Sequence, residues 1–322
     1  MARDLPDPAS HSDDTRADGT RARVSSGKQA HLPGPGEPWT PILLTRWSGA
    51  YLLEKGVEDG RLDAELLLAH VLGLRRLDLY LQHDRPLLPA ELEAFKALLK
   101  RRAGREPLQH LMGTAVFREL ELAVDGRALI PRPETEVLVE EILAWAAEAG
   151  APQLSAVDIG TGTGVIGLSL LREGPFQRVV ATDPSPSALA LARENAQRLG
   201  LTHGMELRQG PGYAPLQPGE RFNVVASNPP YIPVGDRQML EPEVRDWDPP
   251  EALFAGPGGL DVLIPLVEEA GGFLADPGLL ALEVGDGQAG KVARAMEERG
   301  IFREIRIRPD LAGRDRIVLG VA

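Results

Sequence analysis

The chain has 322 residues, a formal net charge of −12 and no cysteine. The lack of cysteine excludes disulfides, thiolate metal sites and cysteine nucleophiles, and the acidic balance disfavours duplex DNA as a partner because like charges repel. No apolar run reaches the ~18 residues needed to span a bilayer, and the N-terminus lacks a signal-peptide core, so we expect a cytoplasmic protein with no membrane partner.

The composition changes near residue 38. Residues 1–38 are rich in Pro, Gly, Ser, Asp and Arg and contain few large apolar side chains, which predicts a disordered tail. Between residues 39 and 106 apolar residues recur at helical spacing, and one such segment begins at Pro89 and ends at Gly104. We predict a small bundle of three helices there.

The rest of the chain alternates strands with helices. Apolar residues alternate within 107–132, which predicts a β-hairpin linker, and residues 133–322 then form an α/β domain. Its element order predicts a doubly wound sheet with an antiparallel edge. After a first helix at 133–149, the predicted helices span 164–172, 186–199, 259–274 and 287–299. The predicted strands span 154–159, 178–183, 205–209, 222–227, 278–284, 302–308 and 316–321.

The tetrad Asn228-Pro229-Pro230-Tyr231 follows a predicted buried strand, where α/β sheets place ligands. Prolines donate no backbone hydrogen bond and fix φ, so this turn is stiff and leaves carbonyl oxygens free to accept. The Asn228 side chain adds another carbonyl and Tyr231 adds a ring face. The tetrad therefore predicts a site for a planar group with two N–H donors, such as a carboxamide or an exocyclic amine.

A glycine-rich loop follows the first strand of the predicted sheet: Gly160, Thr161, Gly162, Thr163 and Gly164. Such a loop either approaches a ligand closely or merely allows tight packing between strand and helix. Asp183 ends the next strand, where it can accept both ribose hydroxyls of a nucleoside or cap the following helix. Together these features indicate a nucleoside cofactor and a second substrate that meet at Asn228.

These motifs resemble those of class I S-adenosylmethionine-dependent methyltransferases, which have a seven-stranded sheet, and in particular the PrmC/HemK family of release factor glutamine methyltransferases. The resemblance covers roughly residues 39–322. Its further motifs are Pro107-Leu108-Gln109-His110, Leu129-Ile130-Pro131-Arg132-Pro133-Glu134-Thr135-Glu136 and Asp310-Leu311-Ala312-Gly313-Arg314-Asp315-Arg316.

The resemblance implies that the chain methylates the glutamine of the Gly-Gly-Gln motif in class I peptide chain release factors, which the helical domain recognises. It implies that S-adenosylmethionine is held by residues 160–164, Asp183 and Asn228. The glutamine would be held by residues 228–231 and walled by Phe117, with Asn228, Pro229 and Tyr231 as catalytic residues. Glu134 and Glu136 would either cap their helix or reach the pocket.

Two positions depart from the family pattern. Pro211 stands where the family usually has an acidic residue that contacts the adenine amino group, so adenine binding would either be weaker or depend on backbone carbonyls. Gly258 stands where the family often has Asp.

Catalysis by this site would need orientation more than strong bases. The carbonyls of Asn228 and Pro229 would accept the two amide N–H bonds and aim the nitrogen lone pair at the sulfonium methyl. We expect no metal, because the sulfonium is already activated. The alternatives are a non-catalytic protein that binds the cofactor and a translation factor, and an amine-directed DNA methyltransferase. A nicotinamide dehydrogenase would leave the tetrad unexplained.

Overall fold

The computed structural model describes residue 34 and residues 37–322. These residues divide into two compact units, one ending at Leu111 and the other beginning at Met112. The predicted disorder of residues 1–38 lies almost entirely outside the described residues. No helix within the described part of the chain is long and apolar enough to cross a membrane.

The first unit is helical, as predicted, but it contains more helices than the three expected. Its helices are α1 (Pro41–Glu54), α2 (Gly60–Leu72), α3 (Asp78–Leu81), α4 (Pro89–Ala103) and α5 (Leu108–Met112), the last of which ends at the boundary. Pro41 and Pro89 begin α1 and α4, where a missing N–H costs nothing. The core of this unit includes Leu44, Leu52, Leu67, Phe95 and Leu99.

The second unit begins with the predicted hairpin. Strands β1 (Thr114–Phe117) and β2 (Leu120–Ala123) pair antiparallel, with Phe117 opposite Leu120. Helix α6 (Pro133–Ala149) follows, and Pro133 occupies its first turn.

A seven-stranded sheet forms the centre of the second unit, which confirms the predicted fold class. Its strands are β3 (Leu154–Ile159), β4 (Phe176–Asp183), β5 (Met205–Gln209), β6 (Phe222–Ser227), β7 (Leu274–Glu283), β8 (Glu304–Pro309) and β9 (Asp315–Val321). The spatial order is β5-β4-β3-β6-β7-β9-β8, and β9 runs antiparallel to both of its neighbours. The antiparallel strand is therefore next to the edge, and β8 is the edge itself.

Helices cover both faces of the sheet. They are α6, α7 (Val165–Glu173), α8 (Pro186–Arg198), α10 (Leu263–Glu269) and α11 (Ala289–Arg299), whereas the single turn α9 (Pro242–Arg245) belongs to the connection between β6 and β7. Neighbouring strand residues point to opposite faces: Val224 joins the cluster with α6, α7 and α8, and Val225 joins the cluster with α10 and α11. Burial on both faces explains why these strands are continuously apolar.

Two elements between β6 and α11 have bounds that differ from the prediction. The helix expected over 259–274 is only Leu263–Glu269, followed by a 3₁₀ turn at Ala270–Gly272. Gly256 and Gly259 have positive φ values of 66° and 70°, so the chain turns before the helix can begin. Strand β7 starts at Leu274, four residues earlier than its predicted start at 278.

The strand order places the loops after β3 and β6 side by side. The chain moves outward from β3 through β4 to β5 and then crosses back to β6, so its direction reverses between β3 and β6. Ile159 pairs with Ser227 in register, which brings the glycine loop and the Asn228 tetrad to the same edge. Ligands of doubly wound sheets bind at this kind of switch point.

Candidate active site

Two cavities open at the carboxyl ends of these strands. The larger, of about 360 Å³, is lined by residues 160–163, Asp183 and residues 228–230, among others. The smaller, of about 210 Å³, is lined by Asn228, Tyr231 and residues of three other segments. Asn228 contributes to both walls, so the two cavities meet at the residue that the sequence singled out.

The glycine loop is tied to strand β4 by its backbone. The amides of Gly160 and Thr161 donate to the Thr182 carbonyl at 2.8 and 2.9 Å, and the Gly162 amide donates to Asp183 Oδ2 at 3.0 Å. Gly160 and Gly162 have φ values of 71° and 54°, which a side chain would strain. The loop therefore exposes backbone to the larger cavity.

Gly164 differs from the rest of the loop because it does not line the cavity. A Cβ there would lie 3.1–3.3 Å from side-chain atoms of Leu168, Met205 and Ala192. Its small size serves packing between loop and helices, which is the alternative that the sequence left open for this motif.

Asp183 points its carboxylate at the cavity and does not cap the next helix. Its Oδ1 accepts from the Ser185 amide at 2.8 Å, whereas the N-cap of α8 is Ser185, whose Oγ accepts from the Ala188 amide. Burial raises the pKa of Asp183, opposed by the hydrogen bonds from Gly162 and Ser185. Each oxygen keeps lone pairs for a ligand.

Asp158 supports the glycine loop from beneath, a role that the sequence analysis missed. Its Oδ2 accepts from Thr161 Oγ1 at 2.6 Å and from the Gly167 amide at 3.1 Å, and the residue is fully buried. Burial raises the pKa of this carboxyl to about 6. Asp158 thus fixes both the loop and the first turn of α7.

The Asn228 side chain is oriented by a chain of hydrogen bonds. Its Nδ2 donates to Thr135 Oγ1 at 3.0 Å, and Thr135 Oγ1 donates to Glu283 Oε2 at 2.6 Å. Within the part of the chain that the structure describes, Asn228 Oδ1 accepts no hydrogen bond. The amide therefore offers its oxygen and not its NH₂ group to a ligand.

Glu283 also meets Tyr231, because Tyr231 Oη donates to Glu283 Oε1 at 3.3 Å. Burial raises the pKa of Glu283 to about 7, and the hydrogen bond from Thr135 and the charge of Arg316 oppose the shift. Burial likewise raises the pKa of the Tyr231 phenol. Tyr231 is therefore protonated at neutral pH and acts as a donor.

The back of the tetrad is held by Gln288 and Gly259. Gln288 Nε2 donates to the Tyr231 carbonyl at 2.9 Å and also reaches the carbonyls of Gly258 and Gly259, at 3.5 and 3.3 Å. A Cβ on Gly259 would lie 2.1 Å from the Tyr231 carbonyl oxygen, so only glycine fits. Gly258, where the resemblance suggested Asp, takes part through its backbone.

The segment from Leu129 to Glu136 holds several parts of the site in place. Arg132 Nη2 binds Asp248 Oδ2 at 2.7 Å, which ties residues 232–257 to α6, and the Asp248 carboxylate is completely buried. Glu136 accepts from the Arg118 amide at 3.1 Å, and Glu134 lines the smaller cavity.

Phe117 does not wall either cavity, so that expectation is wrong. Its side chain is 1% exposed and packs in the core with Leu120, Leu122 and Leu138. Alternation along a short strand placed it on the buried face of the hairpin, which the sequence could not distinguish from a face toward a pocket.

Pro211 replaces the acidic residue that is usual in the family, but another residue provides a carboxylate at the larger cavity. Pro211 and Gly212 line the wall with no acidic side chain of their own. Glu251, from the 3₁₀ turn Pro250–Ala252, also lines it and lies near enough to Asp183 to raise its pKa. No His, Asp and Glu cluster among the described residues has the arrangement of a metal site.

The chain is similar to known proteins over most of its length. Family models match the PrmC N-terminal domain over residues 44–113 and the methyltransferase small domain over residues 134–240. The release factor glutamine methyltransferase of Geobacter sulfurreducens is 43% identical over 284 residues, covering 88% of this chain and 97% of that protein. The one from Deinococcus radiodurans is 44% identical over 277 residues, covering 86% and 96%. The chain belongs to the release factor glutamine methyltransferase family.

Solved structures agree on the fold of this family member. The catalytic domain of hMettl16 in one crystal structure superposes with a TM-score of 0.53 at 13% identity, covering 66% of this chain and 80% of that one. At so low an identity the likeness concerns the fold alone. The family assignment confirms the resemblance inferred from the motifs.

Proposed function

We propose that this protein methylates the side-chain amide nitrogen of the glutamine in the Gly-Gly-Gln motif of class I peptide chain release factors. Its methyl donor is S-adenosylmethionine. The observation that carries the proposal is the free Oδ1 of Asn228 at the point where the two cavities meet.

The larger cavity fits a nucleoside cofactor in the chemistry of its donors and acceptors. The loop at residues 160–163 offers backbone without side-chain bulk, and the Asp183 carboxylate can accept from ribose hydroxyls. Glu251 gives this wall a second carboxylate, an acceptor that Pro211 cannot supply. We assign S-adenosylmethionine to residues 160–163, Asp183 and Asn228. When bound, the cofactor supplies an activated methyl group.

The smaller cavity fits the glutamine. At the junction with the larger cavity, which Pro229 lines, Asn228 Oδ1 and the Pro229 carbonyl accept the two N–H groups of the substrate amide, and Pro230 keeps the turn stiff. The ring of Tyr231 lines the same cavity. The charged side chains Arg132, Glu134 and Arg316 line it too, so they face the peptide around the glutamine.

The residues of the site act by holding the nucleophile. An amide nitrogen is a weak nucleophile because its lone pair is delocalised into the carbonyl. Two accepted hydrogen bonds draw electron density toward nitrogen and fix the direction of the lone pair. After transfer, the excess proton on nitrogen leaves to water or to one of the carbonyls that already accept its N–H bonds.

The helical unit over residues 39–106 serves substrate recognition in this proposal. It leaves four leucines well exposed, which suits contact with a protein: Leu53, Leu77, Leu81 and Leu88. Exchange of Leu77 and Leu81 for serine should raise the KM for an intact release factor. The same exchange should leave the rate with a short Gly-Gly-Gln peptide unchanged, and an equal effect on both substrates would contradict this role.

The partner is a protein of the translation machinery, and we place the enzyme in the cytoplasm with it. Support comes from the net charge of −12, which disfavours duplex DNA, and from the absence of cysteine, which suits a reducing compartment.

The test is modification of a purified release factor. The enzyme is incubated with the factor and S-adenosylmethionine, and the tryptic peptide with the Gly-Gly-Gln motif is analysed by mass spectrometry. We expect one added methyl group on the glutamine, and none on a factor whose motif glutamine is replaced by glutamate. Binding of the cofactor by calorimetry without any methylation would instead support the non-catalytic alternative.

A further inference from the structure

Glu283 takes no direct part in the proposed methyl transfer, yet it lies next to the Asn228 tetrad. Its side chain ends β7 next to the tetrad and is fully buried, and its two oxygens contact Thr135 and Tyr231. Burial of a carboxyl group is unfavourable in free energy, so a buried carboxyl at this position indicates a functional role. Arg316 does not form an ion pair with it but donates to the Val284 carbonyl at 3.0 Å.

The direction of each hydrogen bond in this network follows from donor and acceptor capacity. Thr135 has a single hydroxyl proton. A carboxylate can only accept, so the Thr135 proton goes to Glu283 at 2.6 Å. Thr135 Oγ1 then has only lone pairs for Asn228, and it must receive a hydrogen from Nδ2 at 3.0 Å.

An Asn228 side-chain amide rotated by 180° could not make the hydrogen bond to Thr135. Its Oδ1 would then face Thr135 Oγ1, which has no proton left to donate while it bonds Glu283. Two acceptor oxygens in contact repel each other, so the flipped amide is disfavoured. The flip would also turn the NH₂ group toward the smaller cavity, where the substrate amide needs an acceptor.

We propose that Glu283 is a positioning residue that sets the orientation of the Asn228 amide through Thr135. This inference rests on the proposed function, because it assigns the orientation to the capture of a substrate NH₂ group. Tyr231 donates to the other oxygen of the same carboxylate, so one acceptor fixes both polar side chains of the tetrad.

The charged groups around Glu283 come from the elements that pack against it. Glu134 on α6 raises its pKa and Arg316 on β9 lowers it, and Tyr231 faces it from the tetrad. Assays at pH 8 keep the carboxyl ionised, so that the network has a single donor pattern.

The test uses a graded series of substitutions with full-length enzyme, intact release factor and calorimetry of S-adenosylmethionine as a check on folding. Glu283→Met removes both acceptors at similar size and should lower kcat on the order of 100-fold. Glu283→Gln keeps one acceptor for Thr135 and should lose less. Thr135→Val should match Glu283→Met, and Thr135→Ser, which keeps the hydroxyl, should restore a near-normal rate.

The unfolding temperature distinguishes a positioning role of Glu283 from a purely structural one. Since burial of the carboxyl is unfavourable, Glu283→Met should unfold at the same temperature as the wild type or a higher one while kcat falls. The Glu283→Met, Thr135→Val double variant should be no slower than either single one, because both act through one path. Normal kcat in Glu283→Met, or in Thr135→Val, would overturn the inference. A wild-type enzyme that never methylates the factor would instead overturn the proposed function.

Discussion

In the proposed mechanism the chemistry depends most on Asn228, which lines both cavities. Its side chain is held on one side by Thr135 and is free on the other. A lone carbonyl in a turn could rotate, whereas this one is fixed before the substrate arrives. Preorganised acceptors of this kind stabilise a transition state without reorganisation at the moment of reaction.

Loss of the Asn228 carbonyl should therefore reduce turnover far more than cofactor binding, because Asp183 and the glycine loop still line the larger cavity. We expect Asn228→Ala to lower kcat on the order of 100- to 1000-fold and to raise the dissociation constant of S-adenosylmethionine by much less. The measurement is methylation of a release factor together with calorimetry. Asn223→Ala is the control, since Asn223 binds the Ser155 amide and the Pro277 carbonyl away from both cavities. Near-normal turnover of Asn228→Ala would contradict the mechanism.

The individual site residues were only partly predictable from the sequence. Asn228, Asp183 and the glycine loop lie at the carboxyl ends of strands. Ligands of α/β sheets bind at these ends, so this rule identified the three features as candidates. Thr135 and Glu283 are 148 positions apart, and Gln288 reaches Tyr231 across 57 positions. Periodicity describes near neighbours along the chain and carries no signal for such pairs.

At the scale of elements, the strands and the long helices were predicted, and the shortest helices were not. Strands β3, β5 and β6 have the predicted bounds. Burial on both faces makes β3 and β6 largely apolar, whereas the edge strand β5 is only partly buried. Helix α3 has four residues and α5 has five, which is too few for a helical period to be recognised. Tertiary contacts decide the structure of such segments.

The segment over residues 232–257 contributes to both cavities, and an ion pair between Arg132 and Asp248 ties it to the start of α6. Arg132 is one-third exposed, whereas the Asp248 carboxylate that it binds is completely buried. Arg132→Ala should lower the free energy of unfolding by roughly 2 kcal/mol and speed amide hydrogen exchange in the segment, because a buried carboxylate loses compensation.

Arg245→Ala is the matched control for this segment. Arg245 pairs with Asp246 in the same stretch, but that carboxylate is half-exposed, so loss of this pair should change stability much less than loss of the Arg132 pair. Equal exchange rates in the two variants would show that the Arg132 pair does not hold the segment.

At the scale of the whole molecule, two buried carboxyls predict how stability varies with pH. Burial raises the pKa of Asp158 to about 6 and that of Glu283 to about 7, above the values of about 4 expected for an unfolded chain. The folded state therefore binds more protons than the unfolded state between these values. Protonation of these two carboxyls favours the folded state. The free energy of unfolding is therefore highest below about pH 4, as far as these two groups determine it, and decreases as the pH rises toward 7.

Urea unfolding at pH 5 and at pH 8 measures this effect. We expect the free energy of unfolding to be lower at pH 8, by at most about 3 kcal/mol for each carboxyl. Glu283→Met should show a smaller difference, because the contribution of Glu283 between these two pH values is then removed. An identical difference in wild type and variant would mean that Glu283 does not titrate in this range.

The proposed mechanism depends on a substrate amide that is held between Asn228 Oδ1 and the Pro229 carbonyl oxygen. A crystal structure of the enzyme with S-adenosylhomocysteine and a Gly-Gly-Gln peptide tests this most directly. We predict that the glutamine side-chain nitrogen lies about 3 Å from both Asn228 Oδ1 and the Pro229 carbonyl oxygen. A glutamine bound outside the smaller cavity, or an Asn228 that turns its NH₂ group toward the substrate, would contradict the account.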